Sequence, residues 1–195
     1  QSARPQASAN ALQAASLPEQ KELQPEVLSS LALQRLREFP AQELANTLWA
    51  FAALLYSFKP DVLADVAEAL RPRLKLPLAF RPAELSSTLW ACAVLEVGDW
   101  RLQADFASVA RQVLLLPASS GGTSLGAQGL SNTVWALATM RWQDTPMLAS
   151  IACHTQPLLP VFSPQAIANT TWAFAKLEFK DLPLLEEISQ RLRRE

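Results

Sequence analysis

One block of 16 residues occurs four times in this chain, and it constrains the possible folds more than any other feature. The copies lie at 39–54, 80–95, 125–140 and 162–177, and each holds a tryptophan at the same place: Trp49, Trp90, Trp135 and Trp172. The tryptophans lie 41, 45 and 37 residues apart. Repetition at a period of about 20–50 residues is typical of stacked supersecondary units. Function is therefore expected along the surface of a stack instead of in a single active site.

Each block predicts one helix, and a second helix follows it. Leu44, Leu48 and Leu55 recur at helical spacing, which predicts a helix A over about 41–57 in the first unit. After Pro60 the same periodicity predicts a helix B, whose central apolar residue recurs 16 or 17 residues after each tryptophan as Val66, Phe106, Ile151 and Ile188. The sequence thus predicts an all-α chain of about four helical hairpins, at about 40–76, 81–116, 126–160 and 163–195.

The N-terminal part is predicted to differ from the four units. Residues 26–39 have the helix B pattern without a helix A before it, so a partial repeat is expected at 25–39. Residues 1–24 form a segment rich in Ala, Gln and Ser, and Arg4 is the only charge among the first 18 residues. That composition is typical of the tail of an organelle transit peptide, and equally of a linker. Neither end of the array has a polar cap, which predicts a longer array or ends covered by partners.

The single long excursion between units is predicted to be a mobile loop. Residues 117–129 hold four of the five glycines of the chain, and such clusters favour loops.

The residue types give no support for catalysis, and we expect no enzyme activity, cofactor or metal. His154 is the only histidine, and its neighbour Cys153 points in a different direction if both lie on a helix. Cys92 takes the position that Phe51 has in the first unit, which predicts a core residue. No ligand spacing for a metal is present. No apolar run of about 18 residues is present either, so no membrane span is expected.

A polar pair precedes each tryptophan. The first members are Asn46, Ser87, Asn132 and Asn169, and the second are Thr47, Thr88, Thr133 and Thr170. Polar groups in so apolar a helix need hydrogen bonds if they are buried. One interpretation is a hydrogen-bonded ladder that ties each helix A to the next unit. The other is an exposed row that contacts bases or peptides, and the exposure of these side chains decides between them.

Basic residues recur at the ends of the helices B. Arg71, Arg111 and Arg193 stand five residues after the central apolar residue, and Arg73, Lys75 and Arg194 lie close by. Such a row could hold a nucleic-acid backbone, even though the formal net charge is −1. It could equally reflect the preference of cations for helix C-termini.

The repeated block also resembles a known family. The stretch Leu44–Ala52 reads LANTLWAFA, and its counterpart at 167–175 reads IANTTWAFA, whereas the second unit departs from the pattern with Ser87. Over about 39–195 the chain resembles the octotricopeptide repeat family and the related heptatricopeptide and RAP-associated repeats of organellar proteins. The resemblance implies a right-handed α-solenoid that binds organellar RNA, and a soluble location in a chloroplast or mitochondrion.

Two hypotheses for the function remain open from the sequence. The first is a non-enzymatic module that binds single-stranded RNA in processing, stability or translation, and the resemblance favours it. The second is a scaffold subunit that packs against neighbouring protein subunits in a ribosome, a respiratory complex or a photosystem. The near-neutral charge and the uncapped ends suit this second hypothesis.

Overall fold

The described part of the chain is all-α, as the sequence predicts. The computed structural model describes residues 35–55, 57–58, 60–76, 79–115 and 125–193. Eight α-helices occur in these ranges: α1 (Ala41–Ala53), α2 (Pro60–Leu74), α3 (Pro82–Val94), α4 (Trp100–Leu115), α5 (Gly126–Thr139), α6 (Thr145–Leu158), α7 (Pro164–Lys176) and α8 (Leu182–Leu192). Short 3-10 turns lie at Leu36–Glu38 and Leu159–Val161.

The eight helices form two layers. The odd-numbered helices are the predicted helices A, and they pack side by side, α1 on α3, α3 on α5 and α5 on α7. The even-numbered helices are the helices B, and α2, α4, α6 and α8 follow one another in the same way. Each helix therefore contacts its counterpart in the next unit. Equivalent positions of successive units form rows along the array.

Small residues let the helices A approach one another. The alanine directly after each tryptophan is fully buried in every unit: Ala50, Ala91, Ala136 and Ala173. At Gly129 an added Cβ would lie 3.1 Å from the Leu125 Cβ, at the start of the same helix, and in ordinary contact, at 3.4 Å, with the Ser86 Oγ of the preceding helix A.

The large apolar side chains of helices A and B make up the core. Val66, Phe106, Ile151 and Ile188 are at most 3% exposed, and the equivalent helix A positions, Phe51, Cys92, Leu137 and Phe174, are at most 1% exposed. Burial raises the pKa of the Cys92 thiol to about 12, which leaves it protonated and unreactive at neutral pH. The predicted core positions are therefore confirmed.

Each helix A ends two residues before a residue with positive φ. These residues are Leu55, Glu96, Arg141 and Glu178, with φ between 51° and 59°. In the second unit the turn is closed by hydrogen bonds from Glu96 N to Ala93 O and from Val97 N to Cys92 O, which is a Schellman arrangement. Helix α1 consequently ends at Ala53, and the predicted end at about residue 57 was wrong. Glycine usually marks such a stop, and no glycine stands at these positions.

Three other predictions fall wholly or partly outside the described residues. Helix α5 begins at Gly126, so residues 126–129 are helical and the predicted loop over 117–129 was wrong there. Residues 117–124, the N-terminal segment 1–24 and most of the partial repeat 25–39 lie outside the described residues. Among the helices that the structure does describe, none has the length and hydropathy needed to cross a bilayer.

Candidate ligand-binding face of the helices A

One side of every helix A is open to solvent, and in α7 Ala168 and Ala175 are exposed on a second side as well. Four rows of residues, one residue per unit, lie on the side that is open in every helix A because they are spaced by three or four positions along each helix. The rows are Gln42, Ala83, Gln128 and Gln165; Asn46, Ser87, Asn132 and Asn169; Trp49, Trp90, Trp135 and Trp172; and Ala53, Val94, Thr139 and Lys176. The first row is exposed, and the second is half-buried. These four rows are called the helix A face below.

Three tryptophans, Trp90, Trp135 and Trp172, form an aromatic strip along this face. The ring centroids of Trp90 and Trp135 are 6.5 Å apart, and those of Trp135 and Trp172 are 6.4 Å apart. Such separations are typical of interacting aromatic pairs. Trp172, at the end of the strip, is 44% exposed. The indoles of these three units therefore lie against one another and also present part of their rings to solvent.

Three of the four threonines of the polar pair bond within their own helices, whereas the Thr170 hydroxyl is buried without a hydrogen-bond partner in the described part of the chain. Thr47, Thr88 and Thr133 each donate a hydrogen bond of 2.7 Å to the carbonyl oxygen four residues earlier, on Glu43, Glu84 and Gly129. The predicted ladder between units was therefore wrong for these threonines. Ser131 does bond between units, because its hydroxyl donates a hydrogen bond of 3.3 Å to Ala166 O in the next helix A.

The asparagines of the polar pair are more open to solvent than the adjacent threonines. Asn132 and Asn169 are half-buried on the helix A face. Within the described ranges, neither carboxamide hydrogen-bonds to another protein group. A carboxamide has two N–H donors and an accepting oxygen. These side chains are thus available to a ligand, whereas the adjacent threonines are not.

A cleft lies between the N-terminal halves of α5 and α7, at the C-terminal end of the helix A face. Its volume is about 330 Å³, and four carboxamide side chains line it: Gln128, Asn132, Gln165 and Asn169. Ser131 and Ser163 add hydroxyl groups to the wall. None of the described lining residues is charged. This site is called the amide cleft.

The arginines that the sequence singled out lie on the helices B and have protein partners. Arg71 Nε lies 3.0 Å from Asp105 Oδ2, and an Arg111 guanidinium nitrogen lies 2.8 Å from Asp144 Oδ2. Both carboxylates belong to the next unit. The two arginines therefore tie successive helices B together and are neutralised within the protein.

The other basic residues near the ends of the helices B differ from one another in their surroundings. Arg73 donates to the carbonyl oxygens of Phe39, Ala69 and Arg37, and burial lowers the pKa of its guanidinium. Lys75 is exposed at the end of α2, and Arg193 is exposed and donates to Ser189 Oγ at 3.3 Å. Arg194 lies outside the described residues.

Sequence reasoning missed the acidic partners, although a signal was present. Asp105 follows Arg71 by 34 residues, and Asp144 follows Arg111 by 33. This spacing is slightly shorter than the repeat, so the partners belong to successive units. An opposite charge recurring at that distance marks a contact between neighbouring helices B.

Replacement of Asp144 tests whether Arg111 is held within the protein. Asp144 accepts a hydrogen bond from Met147 N at the start of α6 as well as the salt bridge, whereas Asp181 caps α8 through Leu184 N. Asp181→Ala should lower the unfolding free energy by about 1 kcal/mol. Asp144→Ala should lower it by about 0.5–1 kcal/mol more, because the half-exposed Arg111 pair is also lost. Urea unfolding followed by circular dichroism measures both, and equal losses would show that the pair with Asp144 does not hold Arg111 in place.

The structure also locates the residues that the sequence suggested for catalysis or metal binding. No group of three or more potential metal ligands occurs in the part of the chain that the structure covers. The Nδ1 atom of His154 lies 2.7 Å from Ser150 O, on the preceding turn of α6, while Cys153 is exposed. The chain matches no protein-family model and no curated protein. The resemblance to octotricopeptide repeats therefore stays a prediction that depends on the repeated block.

Proposed function

We propose that this chain is a non-enzymatic, right-handed α-solenoid of four hairpin units that binds single-stranded RNA along the helix A face. One observation carries the proposal. In successive units a partly exposed tryptophan lies beside an amide or hydroxyl side chain on the same open side of helix A. Aromatic rings stack on unpaired bases, and polar side chains bond to base edges, in repeat proteins that engage about one base per unit.

The proposed binding is directed at bases more than at phosphates. Lys176 is the one cation on the helix A face within the described units, while Arg71 and Arg111 already pair with carboxylates. For single strands the affinity falls with salt by about 0.7 logarithmic units per phosphate contact. A face with so little positive charge should therefore give a shallow salt dependence.

A binding experiment across a salt series tests this proposal. Fluorescence anisotropy of labelled single-stranded RNA should show binding at low salt, with a logarithmic slope no steeper than about −1, since about one phosphate contact is expected. Arg193→Glu, which alters an exposed arginine outside the helix A face, should leave affinity nearly unchanged. If the affinity of the wild-type chain falls steeply with salt and Arg193→Glu abolishes binding, the RNA lies on the helices B instead. Absence of binding to any RNA at low salt would refute the proposal.

One observation favours the scaffold alternative. Trp100, at the start of α4, is 72% exposed, and the Arg101 guanidinium lies 5.3 Å from its ring centroid. A groove of about 480 Å³ adjoins it, lined by residues of α2 and of the turn before α4. Tryptophan and arginine are enriched at the energetic centres of protein interfaces. If the chain binds no RNA, this surface becomes the first candidate for contact with another subunit.

The organellar location is part of the same proposal. It depends on the resemblance and on the composition of the first 18 residues, which have a single charge. Fractionation of cells that contain the tagged full-length protein tests it, and recovery outside chloroplasts and mitochondria would contradict it.

A further inference from the structure

We infer that the amide cleft binds the edge of one nucleobase, and that it makes the third and fourth units prefer adenine to guanine. The inference depends on the proposed RNA binding. It adds a preference for one base, which the repeated rows of the helix A face do not explain, and it places that preference at the amide cleft.

The chemistry of the cleft suits a neutral ligand with alternating donors and acceptors. Each wall contributes two carboxamides one helical turn apart, Gln128 with Asn132 and Gln165 with Asn169. Each group can donate and accept at once. A phosphate would need cations, and none of the described lining residues is charged. A volume of about 330 Å³ lies at the lower end of the range for small-molecule sites, which fits a single base.

The surroundings supply the aromatic surface that such a base requires. Trp135 and Trp172 stand three residues after Asn132 and Asn169, on the same side of α5 and α7. A base whose edge enters the amide cleft can therefore lie against an indole ring. Stacking and edge recognition would then come from the same pair of units.

The earlier units lack this concentration of amides. The second unit has Ala83 and Ser87 where the third has Gln128 and Asn132. The interfaces between α1 and α3 and between α3 and α5 therefore each have two carboxamides in these rows, against four between α5 and α7. Edge recognition should be strongest at the C-terminal pair of units.

The kind of side chain indicates the base. Asparagine and glutamine bond bidentately to the N6 and N7 atoms of adenine, whereas the O6 and N7 atoms of guanine are usually bound by arginine or lysine. The amide cleft has the first kind of group and, among its described lining residues, none of the second. Adenine is therefore the expected occupant.

Competition between single-base variants of one RNA tests the inference. The probes are uridine-rich oligonucleotides with either one adenine or one guanine at the centre, and anisotropy gives their affinities. The wild-type chain should bind the adenine probe about tenfold more tightly, as one bidentate contact allows. The double variant Asn132→Ala/Asn169→Ala should lose that preference and still bind the uridine-rich strand. The matched control Gln42→Ala/Asn46→Ala, at the same rows of the first unit, should keep it.

The outcomes separate the inference from the proposed function. If the wild-type chain binds no RNA, the proposed function and the inference both fail. If it binds both probes equally, or if the Asn132/Asn169 variant keeps the preference, only the inference is overturned. Gln128→Ala/Gln165→Ala alters exposed side chains and provides a second test should the asparagine variant fail to fold. Retained adenine preference in that folded variant would likewise overturn the inference.

Discussion

Phe106→Ala is expected to lower the unfolding free energy of this chain by about 3–5 kcal/mol, the usual cost of truncating a buried phenylalanine. Phe106 is the central apolar residue of α4 and is 1% exposed. Helix α4 packs against both α2 and α6, so the cavity weakens two contacts between units. In a stacked array such a defect lowers the stability of neighbouring units as well. Urea unfolding followed by circular dichroism measures the loss.

The same helix provides a control for this experiment. Trp100 is six residues earlier and is 72% exposed. Trp100→Ala should change the unfolding free energy by no more than about 0.5 kcal/mol, as exposed substitutions usually do. Similar losses for the two variants would mean that Phe106 does not lie in the core between the two layers.

Trp172→Ala is expected to weaken RNA binding by about tenfold to a hundredfold. Stacking of a base on an aromatic side chain contributes about 1–3 kcal/mol by alanine substitution. Trp172 is 44% exposed and lies at the end of the strip, against Trp135. Its partial exposure also means that the variant should remain folded. Anisotropy with labelled single-stranded RNA measures the affinity, and a thermal melt confirms the fold.

Trp100→Ala serves as the control here too, because Trp100 lies on a helix B, outside the helix A face. It should leave the affinity for RNA unchanged. If Trp100→Ala weakens binding and Trp172→Ala does not, the ligand lies at the groove beside α4. The base-stacking role of the tryptophan strip would then be wrong.

The core of the fold was largely predictable. Leu44 and Leu48 are buried as the helical periodicity predicts, and so are the central residues of the helices B, whereas Leu55, which the same periodicity placed on the apolar face, is 81% exposed. Helical periodicity is a local property of the sequence, so a run of about 15 residues is enough to read it. The exact end of helix A was not predictable in the same way. Leu55 and its counterparts adopt positive φ without being glycine.

The candidate site was predictable only in part. The tryptophans and asparagines were recognised as rows, but their exposed side was not. The arginine row was recognised too, although its carboxylate partners belong to the next unit. Each of these features depends on a helix that lies more than 30 residues away along the chain.

The sequence by itself determined the helical hairpin, its repetition and the identity of the residues in each row, because these follow from spacing along one helix. Only the tertiary structure decided that Thr47 is buried and Asn46 partly open, that Arg71 is paired, and that four carboxamides meet between α5 and α7. The physical reason is that the neighbouring unit decides which side of a helix is covered. Adjacent residues such as Asn46 and Thr47 point about 100° apart around the helix axis, so one is covered by that neighbour and the other is not.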